Sequence, residues 1–87
     1  MDRLILLTTK DCHLCDTARS AMRRVAQRSG VSWREIDVAE DLELAREYGD
    51  RLPVILLDGR EHGYWTVEEE RLLADLANPP REHRPWQ

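Results

Sequence analysis

Both cysteines of the chain fall in one tetrad, Cys12-His13-Leu14-Cys15. The tetrad lies between an apolar run, Leu4-Ile5-Leu6-Leu7, and a segment of helical spacing that starts at Leu14. No other feature constrains the fold as much. A strand must run into a helix whose first turn carries Cys-x-x-Cys, the arrangement of a redox site. On a helix, positions i and i+3 share a face, and their Cα atoms lie roughly 5–6 Å apart. A disulfide can bridge that span. The helix N-terminus is also the partly positive end of the macrodipole, so it stabilises a thiolate.

A chain of 87 residues makes one domain with one modest core. Its formal net charge of −4 argues against a nucleic-acid partner, which needs a basic patch. The same charge argues against a polybasic membrane anchor. Leu4 to Leu7 and Val54 to Leu57 are the longest apolar runs, too short to span a bilayer. Met1-Asp2-Arg3 leads into the first run with no signal-peptide pattern, so a cytoplasmic location is expected. Reducing conditions there disfavour a purely structural disulfide. The weight shifts to a catalytic or metal-binding pair.

Leu4 to Leu7 reads as a strand buried on both faces. Leu14, Ala18, Ala21, Met22 and Val25 fall on one helical face, with Asp11 placed to cap the helix and Gly30 to end it. Val31 to Val38 reads as a second strand. Asp41 to Tyr48 reads as a short helix with Leu42, Ala45 and Tyr48 inward, stopped by Gly49. Pro53 to Leu57 is a third strand with proline at its tolerated first position. Asp58-Gly59 is a two-residue hairpin signal, which makes Arg60 to Trp65 a fourth strand. Thr66 and Glu69 fit a capping box ahead of a helix with Leu72, Leu73, Leu76 and Ala77 on its stripe. Asn78-Pro79-Pro80 ends that helix. The domain is expected over residues 1–78, with a polar tail at 79–87. The order β-α-β-α-β-β-α predicts an α/β fold: a four-stranded mixed sheet flanked by helices.

With these elements in place the chain resembles a glutaredoxin of the thioredoxin-fold superfamily. Cys12-x-x-Cys15 after the first strand, Leu52-Pro53 opening the third, Asp58-Gly59 at the hairpin and Gly63 before the last helix carry the likeness. The tetrad with Asp16 and Ala18 following is similar to that of short bacterial glutaredoxin-like proteins. The resemblance implies a thioredoxin fold, with Cys12 as nucleophile and Cys15 as resolving thiol. It implies a cis Leu52-Pro53 bond beside the cysteines, with the Leu52 backbone hydrogen-bonding an incoming peptide or glutathione. His13-Leu14 replaces the usual Pro-Tyr, and Arg51-Leu52-Pro53 replaces Thr-Val-Pro. Where glutaredoxins carry Gly-Gly and an acidic residue that holds glutathione, this chain reads Gly63-Tyr64-Trp65-Thr66-Val67.

The residues themselves support unequal roles for the two thiols. Cys12 lies nearer the helix start, where unpaired backbone N–H groups point at its sulfur. It is expected to have the lower pKa and to attack first, with Cys15 more buried. His13, if protonated, favours the thiolate; otherwise it is a solvent-facing helix residue. Lys10 lowers the thiolate pKa or attracts an anionic substrate, or else is a solvated lysine. Asp11 and Asp16 pull the other way. Gly63 and Tyr64 lie near the expected groove, and Tyr64 and Trp65 either contact substrate or pack under the last helix. Trp33 reads as core or sheet surface, and His62 as a surface histidine. Glu68-Glu69-Glu70 and Arg71 read as a solvated helix face.

The expected function is thiol–disulfide exchange by a monomer, with no tightly bound cofactor and glutathione as a candidate co-substrate. Partners would be a disulfide-containing protein or a low-molecular-weight thiol, with glutathione or a reductase recharging the pair. Neither nucleic acid nor membrane is expected. Two other readings stand beside it: a non-enzymatic binding module, and a metal or iron–sulfur carrier. The carrier would need an external ligand, because structural zinc takes four and the chain adds only His13, His62 and His83 to the cysteines.

Overall fold

The computed structural model describes residues 3–10 and 12–78. Asp11 and the expected tail at 79–87 lie outside the described residues. The elements are β1 Leu4–Thr8, α1 His13–Ser29, β2 Trp33–Asp37, a 3-10 turn Val38–Glu40, α2 Leu42–Tyr48, β3 Val54–Leu57, β4 Arg60–Tyr64 and α3 Glu69–Leu76. The expected order holds. The sheet runs β2-β1-β3-β4. β1 and β2 are parallel, with Leu4 opposite Trp33 and Thr8 opposite Asp37. β3 is antiparallel to both β1 and β4.

Period-two alternation along β1 explains why both sheet faces are covered. Leu4 and Leu6 join Ala18, Met22 and Val25 of α1, Ile55 of β3 and Leu72 and Leu76 of α3 in one core. Leu7 points the other way and packs with Val38, Val54 and Leu56. Partly buried Ile5, Ile36, Leu44, Ala45, Tyr48 and Leu52 close that second face. Gly30 ends α1 in the left-handed region (φ 74°), its N–H donating to the Ala26 carbonyl, the role glycine fills without a Cβ penalty. Asp58 and Gly59 both take positive φ, as a two-residue hairpin requires. The Asp58 carboxylate also receives Nε and Nη2 of Arg3 at 3.0 and 3.1 Å, tying the hairpin to the start of β1.

Several local expectations change. Leu14 is 44% exposed, and Cys15 takes its place on the inward face of α1. Leu42 is 68% exposed. Asp41 caps α2 by accepting from the Leu44 N–H, and the resulting register turns Leu44, Ala45 and Tyr48 to the core instead. Val38 leaves the strand for the 3-10 turn, where Asp37 accepts from the Ala39 N–H. The capping box does not form: α3 starts at Glu69 after Glu68, with no side-chain cap. The Glu69 carboxylate is taken by Nε and Nη2 of Arg24 at 3.0 and 2.9 Å, so it does not fold back on its own helix. Glu70 likewise pairs with Arg28. The presumed solvated face of α3 is therefore partly a charged seam with α1. His62 is not a surface residue. Its side chain is nearly buried, with Nε2 at 2.6 Å from Asp75 Oδ2.

Candidate functional site

Cys12 occupies the N-cap position of α1 in extended conformation, and its side chain makes no cap bond. Its carbonyl accepts from the Cys15 N–H at 3.2 Å. The two cysteines form a disulfide with Cα atoms 5.3 Å apart, inside the span expected from their spacing. Their environments differ. Cys15 is fully buried, whereas Cys12 is partly exposed and lines a pocket of about 360 Å³ with Thr9, Lys10, His13, Asp16 and Arg19. Lys10 and His13 are exposed.

Sheet register brings a second group to this end of the molecule. β1 runs into the cysteine tetrad from Thr8, and its neighbour Leu7 pairs with Val54, which pairs in turn with Tyr64. Pro53, Tyr64 and Trp65 therefore flank the sheet end from which the tetrad departs. The Leu52-Pro53 bond is cis. Pro53 is buried, and its carbonyl accepts from the Trp65 N–H at 2.7 Å. Leu52 packs on the α2 face. Arg51 braces this segment: Nη2 reaches Glu61 Oε1 at 2.8 Å, and Nη1 donates to the Glu47 carbonyl at 3.0 Å. Tyr64 and Trp65 are 46% and 53% exposed. They do not pack under α3; they stack edge to face on each other, 4.9 Å between centroids. Gly63 is placed differently. A Cβ there would lie 3.5 Å from Nη2 of Arg71, whose guanidinium donates to the His62 carbonyl.

Arg19 lines the thiol pocket and brings with it Glu35 and Thr8, which lie outside the pocket; none of the three was singled out from the sequence. Arg19 donates from Nε and Nη2 to the two oxygens of Glu35, each at 2.8 Å. Its Nη1 reaches Asp16 Oδ1 at 2.5 Å. Thr8, buried at the end of β1, donates its hydroxyl to Glu35 Oε2 at 2.8 Å. The Arg19 hydrogen bonds hold the Glu35 carboxyl below its usual range; burial opposes this and Thr8 assists it. Asp16 and Arg19 were readable as an i, i+3 pair. Glu35 was not, because only the parallel register of β2 on β1 brings it alongside. Among the described residues no three His, Cys, Asp or Glu side chains cluster closely enough to hold a metal ion. Among the same residues no helix is long and apolar enough to cross a membrane.

A parallel strand pair crossed by a Cys-x-x-Cys helix, completed by an antiparallel hairpin behind a cis proline, defines the thioredoxin-fold class. Glutaredoxin C1 from Populus tremula x tremuloides shares this fold, with a TM-score of 0.55 at 19% identity over 92% of this chain and 83% of that one. Residues 3–77 match the Glutaredoxin-like domain family (DUF836), and the chain belongs to that family. An uncharacterized protein of Mycobacterium tuberculosis is 40% identical across 92% of this chain and 93% of its own length. The X-ray structure of a structural genomics target protein from X. campestris is 37% identical. It covers 87% of this chain and 99% of its own, with a TM-score of 0.67.

Proposed function

We propose that the protein is a thiol–disulfide oxidoreductase that cycles between the Cys12/Cys15 dithiol and disulfide. The observation that carries this reading is the unequal setting of two linked sulfurs at a helix start: Cys12 on a pocket, Cys15 buried. Cys12 as thiolate attacks a substrate disulfide, forming one S–S bond while the substrate's own bond breaks and its first sulfur leaves as a thiolate. Cys15 loses its proton and attacks the mixed disulfide at Cys12. The second substrate thiol departs, and the substrate has gained two electrons. A dithiol reductant, or two glutathione molecules, returns the electron pair to Cys12–Cys15. The exchange requires no tightly bound cofactor.

In this reading the exposed Lys10 and His13 meet an anionic part of the substrate. Leu52, Pro53 and Tyr64 form the side on which a peptide disulfide or a low-molecular-weight thiol rests. The reducing cytoplasm is the compartment in which such a couple would work. Reduction of a model protein disulfide by the purified chain is the test. Cys12→Ser is expected to abolish it, and Cys15→Ser to accumulate a mixed disulfide on Cys12. Full activity in Cys12→Ser would refute the assignment.

The exposed Tyr64–Trp65 pair favours a second reading, a non-enzymatic module that docks a protein. Alkylation separates the two. The enzyme should show one thiol that reacts fast near pH ~6–7, because reactive cysteines have depressed pKa values. The module should show two slow, ordinary thiols.

A further inference from the structure

We propose that Arg19 and Glu35 form a built-in charge balance that sets the reducing power of the Cys12–Cys15 couple. Glu35 cancels the cation that Arg19 would otherwise present to the thiol pocket. The proposal rests on the redox reading above and adds the residues that tune it.

Arg19 and Cys12 line the same pocket. Along α1, Asp16 follows Cys12 by four positions and Arg19 by seven, so all three share one helix face. An uncompensated guanidinium there would stabilise the thiolate and make the disulfide more oxidising. It is instead engaged through Nε, Nη1 and Nη2. Glu35 also accepts from the buried Thr8 hydroxyl, on the same Oε2 that Arg19 Nη2 reaches, and its ionised form is favoured by these bonds. The charged and titratable groups facing the pocket are thus Lys10, His13, Asp16 and Arg19, with Glu35 from β2 behind Arg19 and Arg23 of α1 acting on Glu35. Arg19 meets two carboxylates. Its charge is spent on them, which leaves the couple on the reducing side and suits it to donate electrons to substrate disulfides.

The chemistry follows from the sign. When a dithiol reduces the disulfide, it loses two electrons and becomes a disulfide itself; Cys12 is released as thiolate and Cys15 takes a proton. Added positive charge favours that thiolate product, and added negative charge opposes it. Glu35→Gln keeps an acceptor for Arg19 and Thr8 but deletes the anion. Arg19→Gln deletes the cation.

The test equilibrates the full chain with dithiothreitol buffers at a pH above the Cys12 midpoint. Iodoacetamide alkylation rates against pH report that midpoint. E35Q should shift the equilibrium toward the dithiol by about threefold to tenfold, the effect of one unit charge near a partly solvated sulfur. A tenfold shift reads as about 30 mV. R19Q should shift it the other way by a similar factor, with the alkylation midpoint raised where E35Q lowers it. R19K and the double variant R19Q/E35Q should both stay within about twofold of the parent, because net charge is kept. Thr8→Val, which loosens Glu35 without changing charge, should do the same. A purely structural role predicts that E35Q, R19Q and T8V move the couple in one direction; that result, or no shift in either charge variant, overturns the proposal. If E35Q does not fold, the contrast between R19Q and R19K decides. Opposite shifts without any disulfide reductase activity count against the proposed function alone. Reductase activity with unmoved equilibria counts against the charge balance alone.

Discussion

The two faces of the sheet are covered unequally. On the α1–α3 face, side chains from two helices and two strands interlock: Met22, Val25 and Leu72 are fully buried against Leu4, Leu6 and Ile55. Cys15 belongs to the same inward stripe of α1. On the opposite face α2 is only seven residues long and buries none of them completely. Its Leu44, Ala45 and Tyr48 merely lean on Leu7, Val54 and Leu56. The buried sulfur is thus anchored in the thick layer, while Leu52, beside the cis proline, belongs to the thin one. Regions with few buried contacts open locally at lower free energy. The buried sulfur therefore sits in the more tightly packed layer, and Leu52 in the less tightly packed one.

This contrast can be broken by experiment. Met22→Ala should cost about 2–5 kcal/mol, the range for emptying a closed core site, measured by urea unfolding. Leu44→Ala on the thin face should cost only about 1 kcal/mol; equal costs would erase the distinction. Removing the α2 cap with Asp41→Ala should cost about 0.5–2 kcal/mol. Native-state hydrogen exchange should then show α2 amides opening faster, with those of α1 unchanged. Slower exchange in α2 than in α1 of the parent protein would contradict the comparison outright.

The charged seams give a smaller, pH-dependent effect. Glu35 and Glu69 are both held below the usual carboxylate range, chiefly by hydrogen bonds from Arg19 and Arg24 respectively, with burial opposing. A carboxylate depressed in the folded state contributes stability above its unfolded pKa of about 4.3. That contribution is lost as pH falls through the lower folded value. Unfolding midpoints of E35Q and E69Q should therefore fall less steeply than the parent's below pH ~4.3, and lie below it near neutrality. The smallest effect is expected at Leu42, where Leu42→Ser should stay within about 0.5 kcal/mol, because its side chain faces solvent.

Features that depend on near neighbours in the chain were legible without coordinates. Hydrophobic period located the strands and helices, Gly30 and Asp58-Gly59 marked two reversals, and Cys12 and Cys15 came close because helical geometry dictates the i, i+3 distance. The resemblance further implied the cis Leu52-Pro53 bond. Errors arose where a local rule met a distant competitor. Thr66 and Glu69 had the spacing of a capping box, but Arg24 on another helix took the carboxylate. Leu14 and Leu42 had the hydrophobicity of core residues, but a helix buries only the side its neighbours cover.

The amino-acid order alone determined the element sequence, the linked sulfurs and the unequal positions of Cys12 and Cys15 along their helix, since each follows from backbone geometry over a few residues. Only the folded structure decided that Glu35 meets Arg19 and that His62 meets Asp75. Those meetings depend on strand register and helix docking. Their energies come from burial and charge pairing across long stretches of chain, which no local pattern records.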